Sequence, residues 1–500
     1  MKLPNSARNW TSMLGAAMAV TTLFIILFLF ILSMVFDAGS SYLGLFIFII
    51  LPIFLVIGLV LIPIGMYFTH KKEIIQEAEE SETKWPVVDL NRIATRNALL
   101  IFIGGSVVFF SLTGIGSYEA FHYTESVEFC GTLCHQVMEP EYVAYHQSSH
   151  ERVKCVDCHV GSGADWYVKS KLSGLYQIYS VAFKKYPQPI PTPIHNLRPA
   201  RETCEQCHWP EKFYDPMMRV KKSYLSDYDN TEWDIHLMMK TSATYSALGL
   251  QEGIHWHINP DVQIEYFDDP ENKGVIPWVK YTNRKTGETK IFKDPDYAGE
   301  DFASNTKMVK TMDCIDCHNR PSHNYKVPQN FVDDLITAGK ISGELPDIKY
   351  LAMEILNKEY PTRDSAFTAI ESRVWEYYTS DYDYMLETHE KEIGDAVEAI
   401  QLGYSQNIFP YMKVTWSEYP THLGHMETNG CYRCHNDRHA TTSGEVISRD
   451  CDLCHNIIAQ GNPGNIEYSS QFEALDFNHP IDIKDAWRET LCSECHFELY

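Results

Sequence analysis

F-C-G-T-L-C-H-Q-V-M-E-P-E-Y, residues 129–142, followed after twelve further residues by C-V-D-C-H at 155–159, sets two cysteine pairs each running directly into a histidine. That is the attachment pattern of c-type haem: two thiols add across the porphyrin vinyl groups, and the adjacent histidine is held under the iron as an axial ligand. The pattern recurs. All fourteen cysteines fall into seven pairs, Cys130/Cys134, Cys155/Cys158, Cys204/Cys207, Cys314/Cys317, Cys431/Cys434, Cys451/Cys454 and Cys492/Cys495. The residues that follow are His135, His159, His208, His318, His435, His455 and His496. Zinc ribbons, redox cysteine pairs and disulfides do not require a histidine at one fixed offset in every repeat. The reading is therefore seven covalent haem c groups. The first pair has three intervening residues where the other six have two, and it is read as a haem site because no other role for it suggests itself.

Seven porphyrins supply much of a core, so the stretches between motifs can be loop-rich and only modestly apolar and still fold. Bound cofactor then contributes folding energy, as metals do in small metallodomains, and an apoprotein is expected to be largely unfolded there. The chain has 42 basic and 66 acidic side chains, a net charge of −24, which argues against nucleic-acid binding. An acidic surface suits basic soluble partners, and it equally serves solubility.

Ahead of the first motif lie three uncharged apolar runs: Arg8 to Asp37, Ala38 to His70, and Asn97 to Tyr118. Each exceeds the roughly 20 residues that cross a bilayer. The expected spans are about 12–36, 42–69 and 97–118. The first is too long for a signal-peptide core and lacks a small-residue cleavage site, so it stays as an anchor. The loop from His70 to Arg96 carries Lys71, Lys72, Lys84, Arg92 and Arg96, whereas the turn after Asp37 carries no lysine or arginine. The positive-inside rule puts that loop and the N-terminus in the cytoplasm. Everything after Tyr118 then lies on the periplasmic side of a bacterial inner membrane, where c-type haem is attached.

The fold class that follows is an N-terminal three-helix transmembrane anchor, then a mainly α, loop-rich multihaem c-type cytochrome with a small β-rich insertion. Its parts are an anchor at 1–118, a trihaem region at 119–212, a strand-rich insertion at 213–312 and a helical region with four motifs at 313–500. Trp166 to Phe183 has helical spacing, and Gln188-Pro-Ile-Pro-Thr-Pro reads as an extended connector. Val262, Ile264 and Tyr266 alternate as in a strand, as do Val275, Val279 and Tyr281, with Asn283-Arg-Lys-Thr-Gly287 as a hairpin turn. Asn330 to Ile408 reads as helices, with a cap at Thr362.

Distal ligands must come from elsewhere. Of twenty-one histidines, seven follow cysteine pairs and His70 lies at the cytoplasmic end of a helix, leaving thirteen. Electron-transfer irons are six-coordinate as a rule, since two strong ligands keep the geometry unchanged on reduction. His150, His195, His257, His323, His425, His439 and His479 are favoured, each lying near a motif or in a turn, against the ordinary reading of surface or capping histidines. His122, His146, His236, His255, His389 and His422 are reserves. An extended His255-Trp-His257 would put two imidazoles on one side.

The order F-C-x-x-x-C-H, P-E-Y, Ser-Ser-His150, C-V-D-C-H-V, then Lys171 with Gly174, Gln177 and Tyr179, resembles the NapC/NirT/NrfH family of membrane-anchored quinol dehydrogenases over about the first 210 residues. With H-N-L-R-P-A-R-E-T-C-E-Q-C-H-W-P-E-K-F, G-I-H-W-H-I-N-P and C-I-D-C-H-N-R-P-S-H, the whole chain resembles the longer heptahaem inner-membrane cytochromes of metal-respiring bacteria. The resemblance implies that the haem nearest the membrane takes electrons from menaquinol or ubiquinol. It also leaves that haem's ligand between His135 and Met138, which lies three residues on. It implies a lysine and an acid beside the quinol. Lys171 suits the first role, and Gln177 stands where the acid is expected, so Glu139, Glu141 and a haem propionate become candidates for proton acceptance.

The expected function is a heptahaem quinol dehydrogenase of the quinol:cytochrome c oxidoreductase type in anaerobic or metal respiration. It passes electrons to periplasmic c-type cytochromes or a reductase. Two other readings stand beside it: a terminal reductase of a small oxidised substrate such as nitrite, with one open iron, and a relay anchor for a separate reductase.

Overall fold

The computed structural model describes residues 9–36, 50–77, 90–160, 164–192, 199–213, 215–242, 253–268, 274–297, 299, 302, 308–470 and 473–497. The chain divides into two compact units, Met1–Met138 with Lys154–Val156, and Glu139–Val153 with Asp157–Tyr500.

The first unit holds three long helices: α1 (Trp10–Phe36), α2 (Leu51–Glu77) and α3 (Ile93–Thr124). Their apolar stretches, Trp10–Leu29, Leu51–Thr69 and Thr95–Thr124, are long and apolar enough to cross a membrane. Residues 42–49 of the expected second span lie outside the described residues, and α3 runs six residues past Tyr118. Small residues let α1 and α2 approach closely: a Cβ on Gly15 would stand 2.6 Å from the Gly58 carbonyl oxygen, and one on Gly58 2.8 Å from the Ala19 nitrogen. Ser12 Oγ on α1 donates to the Ile62 carbonyl on α2 at 2.9 Å, satisfying between the helices a hydroxyl that lipid would leave unpaired. Two short helices follow, α4 (Val127–Thr132), capped by Ser126 Oγ accepting from the Phe129 N–H, and α5 (His135–His146), which begins in the first unit and ends in the second.

α6 (Cys155–His159) is shared between the units, and in the second unit α7 (Ala164–Ala182) and α8 (Ala200–Cys204) precede two four-stranded antiparallel sheets. One is ordered β1 (Met217–Tyr224), β2 (Glu232–Met239), β7 (His455–Gly461), β8 (Glu467–Tyr468). The other is ordered β5 (Thr289–Lys293), β4 (Trp278–Asn283), β3 (Val262–Phe267), β6 (Val309–Thr311). Residues 213–312 thus do not close on themselves: β2 pairs with β7 from near the C-terminus, Met239 opposite His455. On β3 the alternation is physical, with Val262, Ile264 and Tyr266 buried against Ile276, Val279 and Phe292. Val275 is exposed and lies before β4. The β4–β5 turn is closed by Asn283, whose Oδ1 accepts from the Lys285 and Thr286 N–H groups, and by Gly287 at φ +76, where a side chain would be strained.

Between the fourth and fifth motifs, α10 (Pro328–Thr337), α11 (Ile348–Leu356), α12 (Arg363–Asp381), α13 (Asp383–Thr388) and α14 (Glu390–Asn407) follow the short α9 (Cys314–Cys317) and surround a core that contains no haem motif. Leu345, Ile348, Leu351, Ile370, Val374, Ile393 and Ile400 are fully buried there. Thr362 caps α12, accepting from the Ser365 N–H, with Ser365 Oγ accepting in return from the Thr362 N–H. After the fifth and sixth motifs come α15 (Ala486–Glu489) and α16 (Cys492–His496).

Candidate haem-ligand array

Each attachment segment is a single tight turn, so its two cysteines stand on one side with the histidine at its end. Cys155–His159 forms α6 and Cys492–His496 forms α16. In α9, Asp313 caps the Cys314 N–H and Asp316 reciprocates on the Asp313 N–H. The longer first spacing keeps this property, because residues four apart share a helical face as residues three apart do. The sheets place three motifs. Strand β6 pairs with β3 and runs into Cys314. Cys434 packs against the β3–β4–β5 core. His455 opens β7.

All fourteen thiols are free of disulfides, but the polypeptide does not enclose them equally. Cys158, Cys207 and Cys495, second members of their pairs, are exposed, as is Cys451, whereas the other ten are half-buried. A thioether sulfur would sit at the rim of a porphyrin held by these cysteines, and the macrocycle would cover it on that side.

Around these turns, six motif histidines each face a second histidine. Ring centroids are 6.2 Å apart for His159 and His323, 6.1 Å for His208 and His150, and 6.2 Å for His318 and His255. They are 5.9 Å apart for His435 and His257, and 6.3 Å for both His455 with His425 and His496 with His479. A metal–imidazole bond is ~2 Å and a ring nitrogen sits ~1.2 Å from its ring centroid, so two rings holding one metal from opposite sides have centroids ~6.4 Å apart. The spacing fits an iron between each pair. The angle between ring planes ranges from 10° for His255/His318 to 81° for His257/His435. Such freedom is expected of rings that both contain the metal–nitrogen axis and differ only in twist about it.

The outer nitrogens agree. His150 Nδ1 lies 3.1 Å from the Pro321 carbonyl, His257 Nδ1 2.8 Å from that of Ile254, His323 Nδ1 3.1 Å from that of Glu141 and His479 Nδ1 2.8 Å from that of Ile481. His255 Nδ1 pairs with the Thr241 carbonyl, and the motif's His435 Nδ1 with that of Ser448 at 2.9 Å. A carbonyl only accepts, so at His150, His255, His257, His323 and His435 Nδ1 carries the proton and Nε2 presents its lone pair, while His479 Nδ1 also stands 3.2 Å from the Ile481 N–H. Burial keeps the rings neutral: it lowers the pKa of His159 and His455 to about 4, and lowers His257, His318, His425, His435 and His496 as well.

Two expectations change. His439 faces no motif histidine. It is 1% exposed, its Nδ1 bonds Asn436 Oδ1 at 3.0 Å and its Nε2 the Ile276 carbonyl, so both ring nitrogens are used in packing. The reserve His255 faces the fourth motif instead. Residues 254–258 are a 3₁₀ turn, not an extended strand. At three residues per turn, positions i and i+2 diverge, which sends His255 to His318 and His257 to His435. His195 lies outside the described residues, as does the side chain of His135. His135 and Met138 stand one turn apart on α5.

Successive attachment turns adjoin. His150, facing the third motif, is bonded to Pro321, two residues before His323, which faces the second. The thiols of Cys204 and Cys314 are within hydrogen-bond reach. Burial and then the neighbouring Cys431 push the Cys317 thiol up to about 11, and Arg433 donates to the Asp316 carbonyl at 3.0 Å. His425 stacks on Tyr432, with centroids 4.3 Å apart at 15°. Cys451 adds to the burial that raises Cys492. The second to seventh motifs therefore follow one another in space as in sequence.

The expected quinol residues are less grouped. Lys171 is half-buried on α7 and Gln177 exposed, and six residues of helix put them on different faces. Glu139 is paired with Arg363 at 2.8 Å, and Glu141 Oε2 lies 3.1 Å from His323 Nδ1. Along α7, Leu172, Leu175, Tyr176, Ile178 and Tyr179 are exposed.

Residues 92–190 match the N-terminal region of the NapC/NirT cytochrome c family. Over 490 residues, 98% of this chain and 95% of the relative, the protein is 41% identical to the cytochrome c-type protein ImcH of Geobacter sulfurreducens. No solved structure matches. With cysteine–histidine turns, facing histidines and membrane-length helices in one chain, the protein belongs to the NapC/NirT family as a membrane-anchored multihaem c-type cytochrome similar along its length to ImcH.

Proposed function

We propose that the protein is a heptahaem quinol dehydrogenase that takes electrons from membrane quinol and delivers them to a periplasmic carrier. The observation that carries this is the array of six facing histidine pairs on adjoining turns. The haems supply one-electron chemistry at iron, with potentials set by ligands, burial and nearby charge. The chain's task is to attach, ligate and space them. The cysteines of the seven pairs hold the porphyrins, and the seven motif histidines are the proximal ligands. On the distal side stand His323, His150, His255, His257, His425 and His479 for the second to seventh motifs in order, with His135 or Met138 as the alternatives at the first.

The six pairs leave no open iron at those motifs, which weighs against a terminal reductase. Quinol use is supported by the family match over 92–190 and by α7, whose exposed Leu172, Leu175, Tyr176 and Ile178 suit a lipophilic substrate and whose Lys171 suits its hydroxyl. The charge of the loop before α3 supports a periplasmic haem region.

Pyridine haemochrome analysis is expected to give seven haems per chain, and six would remove the first site. Lys171→Ala is expected to slow quinol oxidation at unchanged haem content, and an unchanged rate would reject its assignment. Replacing His135 and Met138 separately identifies the first ligand from the spectrum, and no change in either rejects both.

A further inference from the structure

The facing histidines differ in what touches their outer nitrogens, and that difference is graded along the array. For His150, His255, His257, His435 and His479 the partners are uncharged: a backbone carbonyl at each, with the Ser149 hydroxyl also 3.5 Å from His150 Nδ1 and the Ile481 N–H 3.2 Å from His479 Nδ1. His323 has more: its Nδ1 lies 3.1 Å from the Glu141 carbonyl and also 3.1 Å from Glu141 Oε2, an oxygen buried from solvent with no hydrogen bond of its own. Among the described residues, His323 alone of the twelve facing histidines makes such a carboxylate contact. At the other extreme, Nδ1 of both His425 and His455 is buried with no partner. A cation also stands at that sixth motif, where the Lys240 N–H donates to the Cys454 carbonyl at 2.8 Å and its ammonium to the carbonyl of Asp452.

Hydrogen bonding to the outer nitrogen makes an imidazole a stronger donor to its metal, and a carboxylate beside it adds its negative charge. A stronger donor and a nearby negative charge stabilise the more positive oxidised iron. Bare imidazoles beside a lysine favour the reduced one. We propose that Glu141 is a positioning residue for His323 that holds the second haem at a lower potential than the haem bracketed by His425 and His455, so that electrons run downhill from the second motif to the sixth. Each transfer removes one electron from one iron and adds it to the next, and no bond is made or broken. Arg320, whose guanidinium lies over the Tyr419 ring with its centre 4.3 Å from the ring centroid, donates to Thr192 Oγ1 in the same region. This inference rests on the ligand assignment proposed above and also makes Glu141 a ligand-tuning group where the sequence suggested a proton acceptor for quinol.

The test is a redox titration of the full-length holoprotein in detergent, followed by visible absorption and EPR. Glu141→Gln is expected to leave haem content and the low-spin spectrum unchanged while one haem's share of the titration moves to higher potential. The expected size is about tenfold in its reduction equilibrium, ~59 mV for one electron. Glu141→Asp, which keeps the charge, is expected to restore at least half of the shift. No movement in Glu141→Gln, movement downward, or an equal shift in Glu141→Asp would overturn the proposal. A second measurement needs no Glu141 variant. His425→Ala and His323→Ala each remove one low-spin EPR component, and in the wild type the component missing from the first is expected to be reduced before the component missing from the second. The reverse order refutes the gradient. Reduction of the wild type by quinol tests the dehydrogenase reading separately, since the order of potentials does not depend on which donor fills the array.

Discussion

Replacing His255 with alanine and His439 with alanine separates ligation from packing within one region of the protein. His255 stands 6.2 Å from His318, ring centroid to ring centroid, and its Nδ1 is committed to the Thr241 carbonyl, so Nε2 is available. His439, near in sequence to the fifth motif, has both ring nitrogens committed. His255→Ala therefore takes the distal ligand from one iron among seven motifs, and about one-seventh of the haem is expected to turn high-spin. His439→Ala strands the buried Ile276 carbonyl, which costs about 1–3 kcal/mol, and leaves every iron with its ligands. Low-temperature EPR reads the first effect and thermal or denaturant unfolding the second. A high-spin signal from His439→Ala would refute its packing role, and a fully low-spin spectrum from His255→Ala would refute its role as a ligand.

Lys349 and Asp333 form a buried ion pair, with side chains 2% and 3% exposed, and Asp333 also accepts from the Tyr224 N–H. Burial pushes Asp333 up and Lys349 down, each toward its neutral form. Lys349→Met is expected to cost about 3–5 kcal/mol, and adding Asp333→Leu to recover most of it; equal stability of the single and double variants in a urea titration would argue against the pair. Gly403→Ala would set a Cβ 2.6 Å from the Phe331 ring, itself 3% exposed, and is expected to cost about 1–3 kcal/mol by the same measurement. A wild-type midpoint would show that the ring moves freely. Expressed without haem attachment, the chain is expected to be cut by protease throughout the motif-bearing segments while a fragment spanning α10–α14 resists, because that core uses no porphyrin. Loss of this fragment at the same rate as the rest would contradict an independent helical core.

What could be read from the chain and what could not divide along the range of the interactions. Haem attachment is local: two cysteines and a histidine in one turn, repeated, so spacing suffices. How far protein covers each thiol is not local, and spacing is silent on why Cys158, Cys207 and Cys495 are exposed while Cys155, Cys204 and Cys492 are half-buried. The helices of 328–407 declare themselves by apolar periodicity and by the Thr362 cap, again within a few residues. The facing histidines are long-range. His257 and His435 lie far apart in sequence, and so do His255 and His318, and nothing local to His255-Trp-His257 says which iron each ring meets. The 3₁₀ turn that separates them depends on the Gly253 and Lys240 backbones, where a Cβ on Gly253 would collide with the Lys240 carbonyl. Nearness in sequence misled for His439, which tertiary packing draws toward Ile276 instead of an iron. Strand β7 was hidden for a similar reason: His455-Asn-Ile-Ile-Ala is an apolar run whose partner, β2, lies more than two hundred residues earlier.

The most direct measurement of the central claim is anaerobic addition of a menaquinol analogue to the purified, fully oxidised protein in lipid vesicles, with haem reduction followed by visible absorption and compared with full reduction by dithionite. The account predicts that quinol alone reduces the higher-potential haems, the His425/His455 haem among them, within the turnover time, and that Lys171→Ala slows this without changing its extent. A His425/His455 haem that dithionite reduces but quinol leaves oxidised would contradict it.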